Sequence, residues 1–258
     1  MDNVLHSKIE GTGTPILIFH GFLGMSDNWR TIGIRLSEAG YQVHLIDLRN
    51  HGKSFHSDVF NYDAMSQDVF NYCEHHHLEK VIVLGHSMGG KVVMQFAVKH
   101  PEMTEKMIVA DIAPKYYRPH HQDILAGLSA VDFSTKPGRS DVEEILKQYV
   151  SDMGTRQFLM KSLYWKESGQ LAFRFNLNVF LNNTEEIGEP LREQAVFDKP
   201  VLFIRGGESR YILETDFDVI KQQFPYSEIK TIEGAGHWLH AEKPKEFYEL
   251  VIDFLKNK

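Results

Sequence analysis

A single cysteine, Cys73, is all the chain holds, so no intramolecular disulfide can form and folding must rest on buried apolar surface. Long apolar runs are missing too. None approaches the roughly 18 residues that span a bilayer, which argues against stable membrane insertion. The opening MDNVLHSKIEG has no basic stretch ahead of an apolar one, so no secretory signal is expected. There is no run of Lys or Arg, and the formal charge is −7. That is the wrong sign for a nucleic-acid partner or for attraction to anionic membranes. Repeats and low-complexity tracts are also absent. The expectation is a cytoplasmic globular protein, and 258 residues lie near the upper limit for one hydrophobic core.

What is present is a rhythm. Four short apolar runs, PILIFH (15–20), YQVHLIDL (41–48), KVIVL (80–84) and KMIVAD (106–111), read as strands. Amphipathic stretches over 27–39, 63–77 and 88–100 read as the helices between them. Apolar runs without alternation, each separated by a helix, predict buried parallel strands joined by crossovers. The rhythm breaks after Asp111. Residues 112–197 show three or four helical stretches, punctuated by Pro114, Pro119, Pro137 and Gly138, and no clear buried strand. It resumes with PVLFIR (200–205), a helix near 214–224, a strand at 228–233 and a last helix over 245–256. The spacing predicts an α/β core from 1–111 and 198–258, a mostly parallel doubly wound sheet, with a helical cap inserted over 112–197.

The chemistry enters at Gly85-His86-Ser87-Met88-Gly89. This G-x-S-x-G pattern is weak alone. Here it joins a buried strand to a helix, the context a nucleophile elbow requires. The bland alternative is a glycine-rich turn with a capping serine. A serine hydroxyl is a poor nucleophile at its free pKa and needs a base in hydrogen-bond reach.

Fourteen histidines compete for that role. His237 is the choice, because it sits in the loop after the last strand, at the same carboxyl edge as Ser87. His240 reads as packing near the last helix, and His20 and His86 as scaffolding for their turns. The run His75-His76-His77 points in different directions on a helix and makes a poor metal site.

The acid is chosen among three candidates. The segment after the strand at 200–205 holds Glu208-Ser209 where an Asp would be sought. Asp111, at the end of the preceding strand, fits the geometry better than Glu208. Asp216 reads as part of a helix start. A carboxylate at Asp111 would fix the histidine tautomer and stabilise the imidazolium.

An oxyanion needs two donors. Met88 N–H, at a helix N-terminus, and Phe22 N–H, in the loop HGFLG (20–24), are expected to supply them. Leu23, Trp238 and the cap residues Phe158, Leu159, Leu163 and Phe175 are expected to line the substrate pocket, beside Phe22 and Met88. The four cap residues read equally well as cap core. Arg49, Arg174 and Arg205 read chiefly as partners of scaffold carboxylates, with an anionic substrate tail as the alternative.

HGFLG, DLRNHGKS, GHSMGGKVVM, DIAP, RFN, RGGxSxY and GAGHWLHAEKP, spread from residue 20 to residue 244, together resemble the small bacterial carboxylesterases of the YbfF type and their mitochondrial relatives among the abhydrolase-domain proteins. The resemblance implies the α/β-hydrolase fold, with the acid after the sixth strand, which would be Asp111. It also implies hydrolysis of short- to medium-chain acyl esters or thioesters, with neither metal nor organic cofactor. The cap matches less well outside RFN, so substrate range carries over least.

Two other readings stand beside this one. The same three residues on this fold serve C–C hydrolases, perhydrolases and lyases, because fold does not determine function. A non-catalytic interaction protein would also keep the fold.

Overall fold

The computed structural model describes residues 3–192 and 194–257. Five strands precede the break in rhythm: β1 (Ser7–Glu10), β2 (Thr14–Phe19), β3 (Tyr41–Ile46), β4 (Val81–His86) and β5 (Thr104–Ala110). Among them run α1 (Arg30–Glu38), α2 (Tyr62–His75) and α3 (Met88–Lys99). The stretch 112–197 carries α4 (Gln122–Ser129), α5 (Arg139–Lys147), α6 (Met153–Lys161), a hairpin of β6 (Leu163–Glu167) and β7 (Gln170–Phe173), and α7 (Leu177–Asn182). Then follow β8 (Val201–Gly206), α8 (Phe217–Gln223), β9 (Ser227–Ile232), a short α9 (Leu239–Glu242) and α10 (Pro244–Lys256).

The main sheet has seven strands in the order β1-β3-β2-β4-β5-β8-β9. Every neighbouring pair is parallel except β1 with β3. The order turns about β2 and β4, so the carboxyl ends of the central strands share one rim. Ligands of open α/β sheets bind at that rim.

Why the central strands are apolar throughout is plain from their partners. Val81 and Val83 of β4 face one core, with α2, α3 and α8, while Ile82 and Leu84 face another, with α1 and α10. A strand covered on both faces has no position to give to water. Each fully buried Val, Leu or Ile there contributes about 1.5–3 kcal/mol.

Two expectations need correction, and one strand has no counterpart among them. β1 was not foreseen: it is a four-residue antiparallel edge strand whose Ile9 is exposed, so no apolar run marks it. The insert is not wholly helical, because β6 and β7 form a hairpin whose Trp165 faces solvent. Among the described residues the strand leading to Asp111 is the fifth, where the resemblance implied the sixth.

The insert is tied to the sheet rather than packed by itself. Leu125, Leu146, Leu159 and Phe180 belong to the same apolar cluster as Phe19 and Val83. On α3, buried Lys91 donates to the carbonyls of Lys115 (2.7 Å), Gly188 (3.2 Å) and Glu189. One ammonium thus fastens both ends of the insert to the helix behind Ser87.

Candidate active site

Ser87 stands between the last residue of β4 and the first of α3, with φ 52° and ψ −119°. A side chain rarely adopts this conformation, at a cost of about 1–3 kcal/mol. The turn closes because Gly85 and Gly89 carry no Cβ. One on Gly85 would come 2.1 Å from the Gly89 carbonyl oxygen, and one on Gly89 would come 2.5 Å from the carbonyls of Phe19 and His20. Asp111 follows β5 in the same unusual region, at φ 52°, and Leu23 and Asn50 do so after β2 and β3. These four strained residues gather at the rim that holds the candidate chemistry, while His77 and Lys136, the other two non-glycine residues with positive φ among the described residues, lie elsewhere.

Asp111 is fully buried. Its Oδ1 accepts from Gly206 N–H at 3.1 Å, and its Oδ2 accepts from the Ser209 hydroxyl. The same Oδ2 lies 2.7 Å from His237 Nδ1. Burial pushes the carboxyl above its ordinary range, while the Ser209 hydroxyl and Gly206 N–H draw it back. Burial also holds the His237 ring below its ordinary 6.5, so it rests neutral at neutral pH. The carboxylate keeps the ring proton on Nδ1, which leaves Nε2 its lone pair.

Three further contacts orient the ring. Tyr211 stacks on it, with centroids 3.7 Å apart and planes 14° from parallel. The Tyr211 hydroxyl in turn meets His120 Nε2 at 2.5 Å. His86 Nε2 donates to the His237 carbonyl at 2.8 Å, so the elbow itself holds the histidine loop. Ser87 and His237 line one cavity of about 220 Å³. No hydrogen bond joins them among the described residues, as is common before a substrate tightens a catalytic pair.

The other acids lie elsewhere. Glu208 is exposed, and among the described residues only its backbone is engaged, by Ala235 O at 2.9 Å. Asp216 pairs with Lys115 at 2.6 Å and accepts from Leu213 N–H at 2.8 Å.

Phe22 and Met88 border the cleft beside Ser87. Among the described residues neither N–H has a hydrogen-bond partner. Met88 opens α3 and so has no acceptor within the helix. Phe22 is passed over in its loop: Gly24 N–H goes to Gly21 O at 3.0 Å, and Leu23 N–H goes to His51 Nε2 at 3.2 Å. His51 Nδ1 bonds Arg49 O at 2.9 Å. His20 holds the loop from beneath, between Gly21 O at 2.8 Å and Leu48 N–H at 3.0 Å. Both rings must be neutral to accept these N–H groups, and burial lowers both.

The pocket expectations divide. Leu23, Phe158, Leu159 and Trp238 line the cavity with Ser87. Leu163 and Phe175 do not. Leu163 is buried at the start of β6, and Phe175 stacks on Phe173 with centroids 5.0 Å apart, inside the insert. Both are apolar, and hydrophobicity alone does not separate a pocket wall from a core. The lining residues that sequence reasoning missed include His120, His121, Ile124, Thr155 and Tyr211. Tyr211 sits two residues after Ser209 in a quoted motif, a signal within reach. The two histidines lie in an insert loop with no pattern to mark them.

The arginines serve the scaffold. Arg49 forks onto both oxygens of Asp68 at 2.6 and 2.7 Å. Arg205 donates to Thr231 at 2.8 Å and lies 3.7 Å from Glu214, while Arg174 lies over the Tyr164 ring. His240 stacks on Trp29 at 4.0 Å and is buried. Among the described residues no group of three or more His, Cys, Asp or Glu converges as a metal site would require, and no helix is long and apolar enough to cross a membrane.

A family profile described as the alpha/beta hydrolase fold matches residues 14–121. Esterase YbfF of Escherichia coli is 34% identical over 95% of this chain and 94% of its own length. The sn-1-specific diacylglycerol lipase ABHD11 of Danio rerio is 35% identical over 98% of this chain and 83% of its own length. A solved marine microorganism esterase superposes with a TM-score of 0.95, at 37% identity, covering 98% of this chain and 100% of that one. The chain belongs to the α/β-hydrolase fold family, alongside these esterases and lipases.

Proposed function

We propose that this hydrolase cleaves carboxylic esters, and thioesters of like shape, through an acyl-enzyme on Ser87, with residues 112–197 acting as a cap over the reaction. The observation that carries the reading is the contact of His237 Nδ1 with Asp111 Oδ2 at 2.7 Å, beside a strained serine in one cavity.

In the first half of the cycle, Ser87 Oγ attacks the acyl carbon as His237 Nε2 takes its proton. Negative charge moves to the carbonyl oxygen, within reach of Phe22 and Met88 N–H. Such donors act strongly because they are oriented before the charge appears, each accounting for a factor of about 10²–10³ in rate. The bond to the leaving oxygen or sulfur then breaks, and that atom receives the proton from His237. In the second half, water loses a proton to the same nitrogen and attacks the acyl carbon, the bond from that carbon to Ser87 Oγ breaks, and Oγ takes the proton back from His237. No other group is called for, and the substrate is a small-molecule ester or thioester.

A p-nitrophenyl ester assay joined to fluorophosphonate labelling tests this. The reading requires turnover in the parent, label on Ser87, and losses of about 10⁶-fold in Ser87→Ala and His237→Ala. A chain that spared every ester and thioester but cleaved a diketone would instead be a C–C hydrolase of the same fold.

A further inference from the structure

Ser87 stands at the meeting of two cavities of unequal size. One, of about 220 Å³, is bounded by His237, Trp238, Phe158, Leu159 and Leu23. The other, of about 20 Å³, is bounded by Met88, Ile112, Tyr62 and Tyr117. A space of about 150 Å³ holds a benzene ring, while about 10–15 Å³ is needed for one water. The first therefore takes a ring or a chain of several carbons. The second takes little more than a methyl or ethyl group.

Which part of the substrate enters which cavity follows from where the proton goes. The attack on the acyl carbon joins Ser87 Oγ to it and breaks its bond to the leaving oxygen. That oxygen must collect its proton from His237 Nε2, so it must lie on the imidazole side. The carbonyl oxygen lies toward Phe22 and Met88 N–H. The remaining substituent, the acyl chain, is then directed away from the imidazole. Only the large cavity contains His237, and Met88 and Ile112 border only the small one.

We infer that the large apolar cavity receives the alcohol or thiol half of the substrate and the narrow cleft receives the acyl half, so that the enzyme prefers short-acyl esters of bulky apolar alcohols. This rests on the reading of Ser87 and His237 given above. It assigns to Phe158 and Trp238 the selection of the leaving group rather than of the acyl chain. Their rings meet with centroids 4.1 Å apart. Beyond them lies an outer cavity of about 480 Å³ that shares these two walls and opens toward Lys161 and Gln157. Phe158, on α6, is thus a partition that sets how long an alcohol can be.

Two ester series separate the halves: acetate esters of alcohols from methyl to decyl, and methyl esters of acids from acetic to decanoic. The expected result is kcat/KM rising at least tenfold with alcohol length to about six to eight carbons, and falling at least tenfold as the acyl chain passes butyryl. In Phe158→Ala the alcohol optimum moves to longer chains while the acyl optimum stays. Ile124→Phe, which fills the same cavity, moves the alcohol optimum the other way and serves if the first variant folds poorly. A preference for long acyl chains, or an acyl optimum that shifts with either variant, overturns the assignment. If neither series turns over and fluorophosphonate leaves Ser87 unlabelled, the acyl-enzyme reading itself falls, and this inference with it.

Discussion

The Ser209 hydroxyl donates to Asp111 Oδ2, the same oxygen that meets His237 Nδ1 at 2.7 Å. Ser209 follows β8, the position where the sequence pattern would place an acid, and Asp111 follows β5. Two neighbouring strand ends thus converge on one histidine nitrogen, one carrying the carboxylate and the other a donor that holds it. A hydrogen bond to a charged group is worth about 1.5–3 kcal/mol. Ser209→Ala is therefore expected to lower kcat/KM about tenfold. Losing the donor raises the Asp111 pKa further, so the acid limb of the pH–rate profile moves to higher pH. A pH profile of the variant checks this, and an unmoved limb counts against it.

The same convergence predicts a rescue. Asp111→Asn should cost up to about 10⁴-fold, as removal of the acid does in other triads. Adding Ser209→Asp to that variant places a carboxylate where the hydroxyl now reaches, and at least tenfold of the loss should return. Glu208→Gln, by contrast, should stay within about twofold of the parent, because that side chain is exposed and makes no contact with the ring. Initial rates on one activated ester compare all four proteins.

Backbone strain at the elbow predicts a trade of function for stability. Ser87 holds φ 52° and ψ −119°, a region glycine enters without a Cβ penalty. Ser87→Gly should be inactive and more stable than Ser87→Ala by about 1 kcal/mol, the strain relieved less the chain entropy of glycine. Urea unfolding of the two inactive variants measures the difference.

Much of this site was legible because it depends on order along strands. A buried strand, a tight turn with glycines at 85 and 89, and a helix leave few shapes, so Ser87 could be placed from the chain alone. Asp111 and His237 followed, because both lie just beyond strands that must end at the same rim. The insert was less legible. Leu163 and Phe175 are as apolar as Phe158 and Leu159, and only tertiary packing puts one pair in the core and the other at the cavity. β1 escaped for a related reason: four residues on a sheet edge need not be apolar. His51 and His120 act through hydrogen bonds to distant loops, which no local pattern encodes.

Buried histidines predict acid sensitivity. Burial lowers His20, His51, His86, His237 and His240 below the ordinary 6.5, His44 to about 4 and His121 to about 3. A depressed folded-state pKa means that the unfolded chain binds the proton first. The stability these rings contribute is complete above pH 6.5 and is lost as pH falls toward the folded values. Each costs about 1.4 kcal/mol per pH unit in that window. Asp111 works in the opposite sense, since its raised pKa lets the folded state take up a proton, but it offsets one ring among several. A fall in Tm of about 10 °C or more between pH 7 and pH 5 is expected. A flat profile in scanning calorimetry would contradict it.

The most direct test is to catch the acyl group. The protein is mixed with a p-nitrophenyl acetate excess, quenched in acid within the first turnovers, digested and read by mass spectrometry. The account predicts one acetyl group on the hydroxyl of Ser87, formed with a burst of nitrophenol and absent from Ser87→Ala. Turnover at the parental rate with no modified peptide, or with the acetyl group carried by another residue, would contradict it.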